Sequence, residues 1–137
     1  MGPILLVDDN YDFRLMTRDL LERHGYNVIS VGTTAEAYQV LLKQQISLLI
    51  TDLYVPGMSG IELLRRLRTI GKPIPPIIAI TGYEFLSSDA ARATVEGLGA
   101  RTILKKPLDT RHLLKVVASA ITGSELPTQE ADRREQA

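Results

Sequence analysis

Leu48-Leu49-Ile50-Thr51-Asp52-Leu53-Tyr54-Val55-Pro56-Gly57-Met58-Ser59-Gly60 is the stretch whose reading decides the fold. A short apolar run closed by an acid and a Pro-Gly turn predicts a strand buried on both faces, with one carboxylate at its C-terminal end. Strands buried on both faces belong to parallel sheets. In an open parallel sheet, ligands and chemistry collect outside the carboxyl ends of the strands. Asp52 is therefore well placed, and its significance depends on what neighbouring strands bring to the same edge.

The pattern recurs on both sides of this stretch. Ile4 to Val7 is a continuous apolar run that stops at Asp8-Asp9-Asn10, and Asn27 to Val31 is a second strand. Ile46 to Thr51 is the third, Ile77 to Ile80 a fourth closing on Thr81-Gly82, and Thr102 to Leu104 a short fifth before Lys105-Lys106-Pro107. Between the strands the apolar period lengthens to that of helices. Phe13, Met16, Leu20 and His24 form one stripe, which Gly25 ends. Thr33 with Glu36, and Ser59 with Glu62, have capping-box spacing. They open helices carrying Ala37, Tyr38 and Leu41, and Leu63, Leu64, Leu67 and Ile70.

Ser87 or Ser88 caps a fourth helix poor in large apolar residues, with Ala90, Ala91, Ala93, Thr94, Val95 and Leu98. It is expected to be the least firmly packed. Asp109 caps a fifth helix holding Leu113, Leu114, Val117 and Ile121. Strands alternating with helices, and apolar throughout, predict an α/β fold: a three-layer, doubly wound, five-stranded parallel sheet.

Composition narrows the function classes. The chain of 137 residues is long enough for one domain with its own core, expected over residues 1–122. Residues 123–137 are polar, contain Pro127 and lack an apolar stripe, which predicts a disordered tail or a severed linker. Sixteen basic and sixteen acidic residues cancel, and no basic stripe argues for direct nucleic-acid binding. No apolar run approaches the roughly 18 residues of a membrane helix, and no signal peptide is expected at the N-terminus. The absence of cysteine excludes thiol catalysis and fits a cytoplasmic setting. His24 reads as a partly covered structural histidine, and Arg65, Arg66 and Arg68 as a solvated helix face.

The carboxyl edge of such a sheet collects Asp8 and Asp9, Asp52, Thr81 and Lys106 from different strands. Three gathered carboxylates repel one another unless a cation joins them. Hard carboxylate oxygens with room for water suit magnesium. A hydroxyl and an ammonium in the same cleft supply donors for an anion, completing the parts that stabilise phosphoryl transfer to a carboxylate. Each residue taken singly has a plainer reading: Asp8-Asp9 as a helix cap, Asp52 as a loop acid, Lys106 as a surface lysine.

The motifs together resemble the receiver domains of two-component response regulators, over about residues 3–122. They are Val7-Asp8-Asp9, Thr51-Asp52-Leu53 with Pro56 to Gly60, Ala79-Ile80-Thr81-Gly82, Gly99-Ala100 and Lys106-Pro107-Leu108, in order. The resemblance implies a flavodoxin-like sheet of strand order 2-1-3-4-5. It implies that Asp52 is the phosphoacceptor, that Asp9 is the main ligand of magnesium (or manganese), and that Asp8 binds directly or through water. The backbone carbonyl of Tyr54 would complete the protein ligands. Thr81 would meet one phosphoryl oxygen and Lys106 another, with Pro107 following a cis peptide. A histidine kinase or histidine phosphotransfer protein is the implied donor. The fourth helix, fifth strand and fifth helix are the implied output face toward an effector domain or protein, and pairing of two copies is left open. Such a domain catalyses only its own phosphorylation and dephosphorylation.

Four positions stand out against the family pattern. Ile103 stands where many receivers carry an aromatic ring that moves as the threonine shifts. Tyr54 and Tyr83 each stand two residues beyond a site residue, where family members tune phosphoryl lifetime, and two bulky phenols are expected to lengthen it. Arg101 replaces a common acid. Two other readings share the motifs: an interaction module of the same fold that is never phosphorylated, and an aspartyl-phosphate phosphatase. The latter usually has a second acid two residues after the nucleophile, where this chain has Tyr54.

Overall fold

The structure, a computed structural model, describes residues 2–54, 58–82 and 89–123. Its elements alternate as β1 (Ile4–Val7), α1 (Tyr11–Arg23), β2 (Val28–Val31), α2 (Thr34–Lys43) and β3 (Leu48–Asp52). There follow α3 (Gly60–Leu67), β4 (Ile77–Thr81), α4 (Asp89–Gly97), β5 (Ala100–Lys105) and α5 (Thr110–Thr122). The strands form one sheet in the order β2-β1-β3-β4-β5, every pairing parallel. This is the flavodoxin-like order that the resemblance implied.

Alternation along each strand divides the core into two layers. Leu5, Val7, Leu49, Ile77 and Ala79 pack with Ala37, Leu41, Leu63, Leu64, Leu67 and Val95, so α2, α3 and α4 cover one face. Ile4, Leu6, Leu48, Ile50, Ile78, Ile80 and Leu104 pack with Leu21, Leu113, Val116 and Val117, so α1 and α5 cover the other. The second layer matters for the site. Continuing its period of two beyond the core places Asp8 after Leu6, Asp52 after Ile50 and Lys106 after Leu104 on one side of the sheet. Val7 lies opposite Thr51 in register, which brings the ends of β1 and β3 level.

Local chemistry starts the helices where capping residues stand. Thr33 and Ser59 accept from the backbone N–H groups of Glu36 and Glu62, and Asp109 from those of Arg111 and His112. The cap of α1 is Asn10, whose side chain accepts from the Phe13 N–H at 2.9 Å. Asp8 and Asp9 are thereby left out of the capping role that their position suggested. Gly25, at φ +90°, follows the end of α1 in a left-handed conformation that a Cβ would strain.

Two expectations change. The buried side chains of α1 are Thr17 and Leu21, with Phe13 and Leu20 half-buried beside them. Met16 is 64% exposed and His24 is exposed, so the stripe lies one position round from the expected one. A buried threonine takes the inward position there, which an apolar count overlooks. β5 runs longer than expected because it is an edge strand: exposed Arg101 and Lys105 interrupt the apolar run without ending the pairing. α4 is as thinly anchored as its composition suggested, with Val95 its one buried side chain among the described residues. The Ser87 and Ser88 caps expected for it, and residues 124–137 of the expected tail, lie outside the described residues. No described helix is long and apolar enough to cross a membrane.

Candidate functional site

Lys106 joins the two strand-end acids. Its Nζ donates to Asp52 Oδ2 at 2.9 Å and lies 2.8 Å from Asp8 Oδ2. Asp8 is wholly buried and Asp52 nearly so, while Asp9 is exposed at the rim. Both Asp52 oxygens are held, because Oδ1 accepts the Tyr54 N–H at 2.8 Å. Asp8 Oδ1 accepts the Asn10 N–H at 2.8 Å. Asp8 Oδ2 receives no aligned hydrogen bond, so Lys106 meets it as a charge only. The carboxylate pair and the ammonium form a fixed array on the α1/α5 side of the sheet.

Burial pushes the Asp8 carboxyl above its ordinary range, and the Asp52 charge adds to that; Lys106 and the Asn10 N–H offset it only in part. Burial disfavours the Lys106 charge too, but its hydrogen bond to Asp52 and its close pairing with both carboxylates outweigh it and raise the lysine. An acid raised in the folded state favours folding when neutral, so stability is fullest below the ordinary value of 3.8 and declines as pH rises through the raised value. Asp8→Asn removes that decline. In chelator at neutral pH the variant is expected to be more stable than the native chain by about 1 kcal/mol, with the advantage fading toward about pH 4. Urea titrations across that range check it; a variant equally or less stable at neutral pH would refute it.

The same array fits a divalent cation. One oxygen from each of Asp8, Asp9 and Asp52 lies within 4.8 Å of the others. All three donors are hard, and the buried Asp8 Oδ2, which faces Lys106 but accepts no hydrogen bond, can take a cation as a further partner.

Neighbouring residues brace the two acidic turns. Arg14 Nη1 donates to the Asp8 carbonyl at 2.7 Å, and the Asp8 N–H bonds the Val31 carbonyl. Gly32 makes room for that guanidinium, since a Cβ there would lie 2.8 Å from Arg14 Nη1. On the β3 side, the Gly60 N–H donates to the Leu53 carbonyl, and Thr34 Oγ1 donates to the Met58 carbonyl. A Cβ on Gly60 would stand 2.4 Å from the Asp52 carbonyl oxygen. Gly60 ends the motif that follows β3, but its close approach to Asp52 is visible only in three dimensions. The same is true of Phe13, whose ring centroid lies 4.3 Å from Lys106 Nζ.

Thr81 is buried at the end of β4, where its carbonyl accepts the Lys106 N–H at 2.9 Å and its hydroxyl donates to the Gly82 carbonyl at 3.3 Å. Alternation sets it with Ile77 and Ala79, on the face opposite Asp52, and no hydrogen bond joins it to the acids among the described residues. Tyr54 is 60% exposed beside Asp52. Ile103 is half-buried against the α2/α3/α4 layer. The Lys106–Pro107 bond is cis. Tyr83, Pro56 and Gly57 lie outside the described residues. Arg101 reaches from β5 to α5, with Nη2 donating to Ser119 Oγ at 3.2 Å.

A doubly wound parallel sheet carrying acids and a lysine at its carboxyl edge defines a receiver-type domain. The chain belongs to the response regulator receiver domain family, which it matches over residues 4–118, and so to two-component phosphorelay signalling. It is 35% identical over 114 residues to sporulation initiation phosphotransferase F of Bacillus subtilis, covering 83% of this chain and 89% of that one. It is 36% identical over 128 residues to the response regulator receiver protein CpdR of Brucella abortus, covering 90% of this chain and all of the relative. Against the response regulator protein FleR of Pseudomonas aeruginosa the identity is 35%, but the chain spans only 27% of that protein's length. Among solved structures, a CheY-like response regulator receiver domain protein from Methanospirillum hungatei superposes with a TM-score of 0.81. The identity is 28%, covering 90% of this chain and 95% of that one.

Proposed function

We propose that this domain is a phosphorylation-controlled switch in which Asp52 accepts a phosphoryl group from a phosphohistidine donor, a histidine kinase or a histidine phosphotransfer protein. The observation that carries the reading is Lys106 Nζ set between Asp52 Oδ2 and Asp8 Oδ2 at the sheet's carboxyl edge. In the transfer an Asp52 oxygen forms the new O–P bond as the N–P bond to the donor imidazole breaks, and the imidazole keeps the released electron pair. Lys106 offsets charge on the transferring group, and the Tyr54 N–H and Lys106 hold the carboxylate in one orientation. A magnesium or manganese ion held by Asp8, Asp9, Asp52 and the Tyr54 carbonyl would neutralise phosphoryl charge. Return to the resting state is hydrolysis at the same acyl phosphate, and no other substrate is required.

Phosphorylated Asp52 carries roughly −1.5 to −2 of charge. Lys106 then exchanges carboxylate contacts for a phosphoryl oxygen, and Thr81, on the adjoining strand end, turns its hydroxyl to another. That exchange biases α4, held by Val95, and through it the α4/β5/α5 face toward an effector, with Ile103 as the relay within β5. A cytoplasmic setting accompanies this reading. Met16 lines the cleft beside Lys106 with exposed apolar surface, which a protein donor covers as it reaches Asp52.

The exposed Tyr54 shields the acyl phosphate from water, with Tyr83 as its counterpart. Loss of the label is therefore expected to be several-fold faster in Tyr54→Ala, and equal decay would remove the phenol from the account. The reading itself is tested by incubating the chain with acetyl phosphate and magnesium. One hydroxylamine-labile phosphoryl group per chain, mapped to Asp52, is expected. Absence of label, or label elsewhere, overturns it.

A further inference from the structure

We propose that Phe13 is a positioning residue for Lys106, its ring forming the uncharged wall against which the ammonium is held; this rests on the receiver reading given above. Lys106 Nζ stands 4.3 Å from the ring centroid while it contacts Asp52 and Asp8 at 2.9 and 2.8 Å. That distance is within cation–π range. Phe13 lies in the first turn of α1, its N–H on the Asn10 cap, so its backbone is fixed directly after the loop that carries Asp8 and Asp9. It lines a cleft of about 690 Å³ together with Met16, Gly82, Lys106, Pro107 and Leu108.

The choice of an aromatic here has a physical consequence. Lysine is a point charge on a flexible stem, and the site needs it restrained yet able to change acceptor. A further carboxylate would restrain it by adding negative charge to a cluster already crowded with acids. A ring face attracts the ammonium without net charge and with little angular preference. It also keeps water from that side of the lysine, which strengthens the remaining electrostatic contacts. When Asp52 is phosphorylated, Lys106 moves from carboxylate to phosphoryl oxygen along the ring instead of out into solvent.

Two variants separate this role from plain packing: Phe13→Leu keeps apolar bulk and loses the π face, and Phe13→Tyr keeps the face. By NMR, the ε-methylene protons of Lys106 are expected upfield in the native chain through the ring current, displaced downfield in Phe13→Leu and retained in Phe13→Tyr. With saturating acetyl phosphate and magnesium, the maximal phosphorylation rate is expected to fall about 3- to 30-fold in Phe13→Leu and to recover in Phe13→Tyr. In a Lys106→Ala background, Phe13→Leu is expected to add nothing. An unchanged Lys106 signal in Phe13→Leu, or an equal rate loss with Lys106 absent, overturns the proposal. A native chain that takes no label overturns the receiver reading instead, while the NMR comparison still decides the contact.

Discussion

Asp52→Asn is expected to abolish covalent phosphoryl incorporation from acetyl phosphate, leaving no hydroxylamine-labile label under conditions that label the native chain fully. The amide is nearly isosteric, and its oxygen can still accept the Tyr54 N–H that holds Asp52 Oδ1 at 2.8 Å. What disappears is the anionic nucleophile, and an amide oxygen or nitrogen forms no acyl phosphate. Loss of function through lost shape is therefore separated from loss through lost chemistry. Lys106 keeps Asp8 as a partner at 2.8 Å, so the ammonium is not left alone in the cleft. Removing one of two like charges beside a partly buried lysine is expected to change stability by no more than about 1 kcal/mol. Intact-mass spectrometry after labelling reads the first effect and thermal melting the second. Equal labelling of the folded variant would move the phosphoacceptor to another residue, with Asp8 and Asp9 the nearest carboxylates.

The fold was legible wherever burial on both faces forced a continuous apolar run. β1 and β4 end at or within one residue of their expected bounds, since Ile4 to Val7 and Ile77 to Ile80 have no exposed side to interrupt them. β5 is longer than its apolar run because an edge strand tolerates Arg101 and Lys105. The α1 stripe was misplaced because Thr17, not Met16, turns inward, and helical periodicity alone does not separate adjacent positions when several are apolar.

The same division holds for the site. Asp8, Asp9, Asp52 and Lys106 could be read as a group because each sits at or just past a strand end, and parallel topology gathers such ends at one edge. Phe13 could not, because its partner lies across the sheet edge and nothing local marks a phenylalanine as a lysine's wall. Asn10 was hidden behind two acids that are equally good caps by type.

Gly60 is the case in which close packing, not conformational freedom, demands glycine, and Gly60→Ala is expected to be strongly disruptive. Its φ is negative, so alanine would suit the backbone, and in a helix interior that exchange usually gains roughly 0.5–1 kcal/mol. Against this, the new Cβ would stand 2.4 Å from the Asp52 carbonyl oxygen and 2.7 Å from Leu53 Cα. Both are backbone atoms, and no rotamer change relieves them. Overpacking costs of roughly 1–3 kcal/mol apply where side chains yield, and here the strand end or the start of α3 has to move. The clash outweighs the helical gain, and a net loss of about 2–3 kcal/mol is expected, lowering Tm by roughly 6–15 °C. The displaced atoms belong to Asp52 itself, so the phosphorylation rate should fall further than stability implies, by up to about 100-fold for an ångström of misplacement. Gly97→Ala is the matched control, an exposed helical glycine with nothing within 4 Å of the added Cβ. It is expected to melt at or above the native temperature and to label normally. If the two variants instead melt and label alike, contact between α3 and the Asp52 backbone does not set the geometry of the acid.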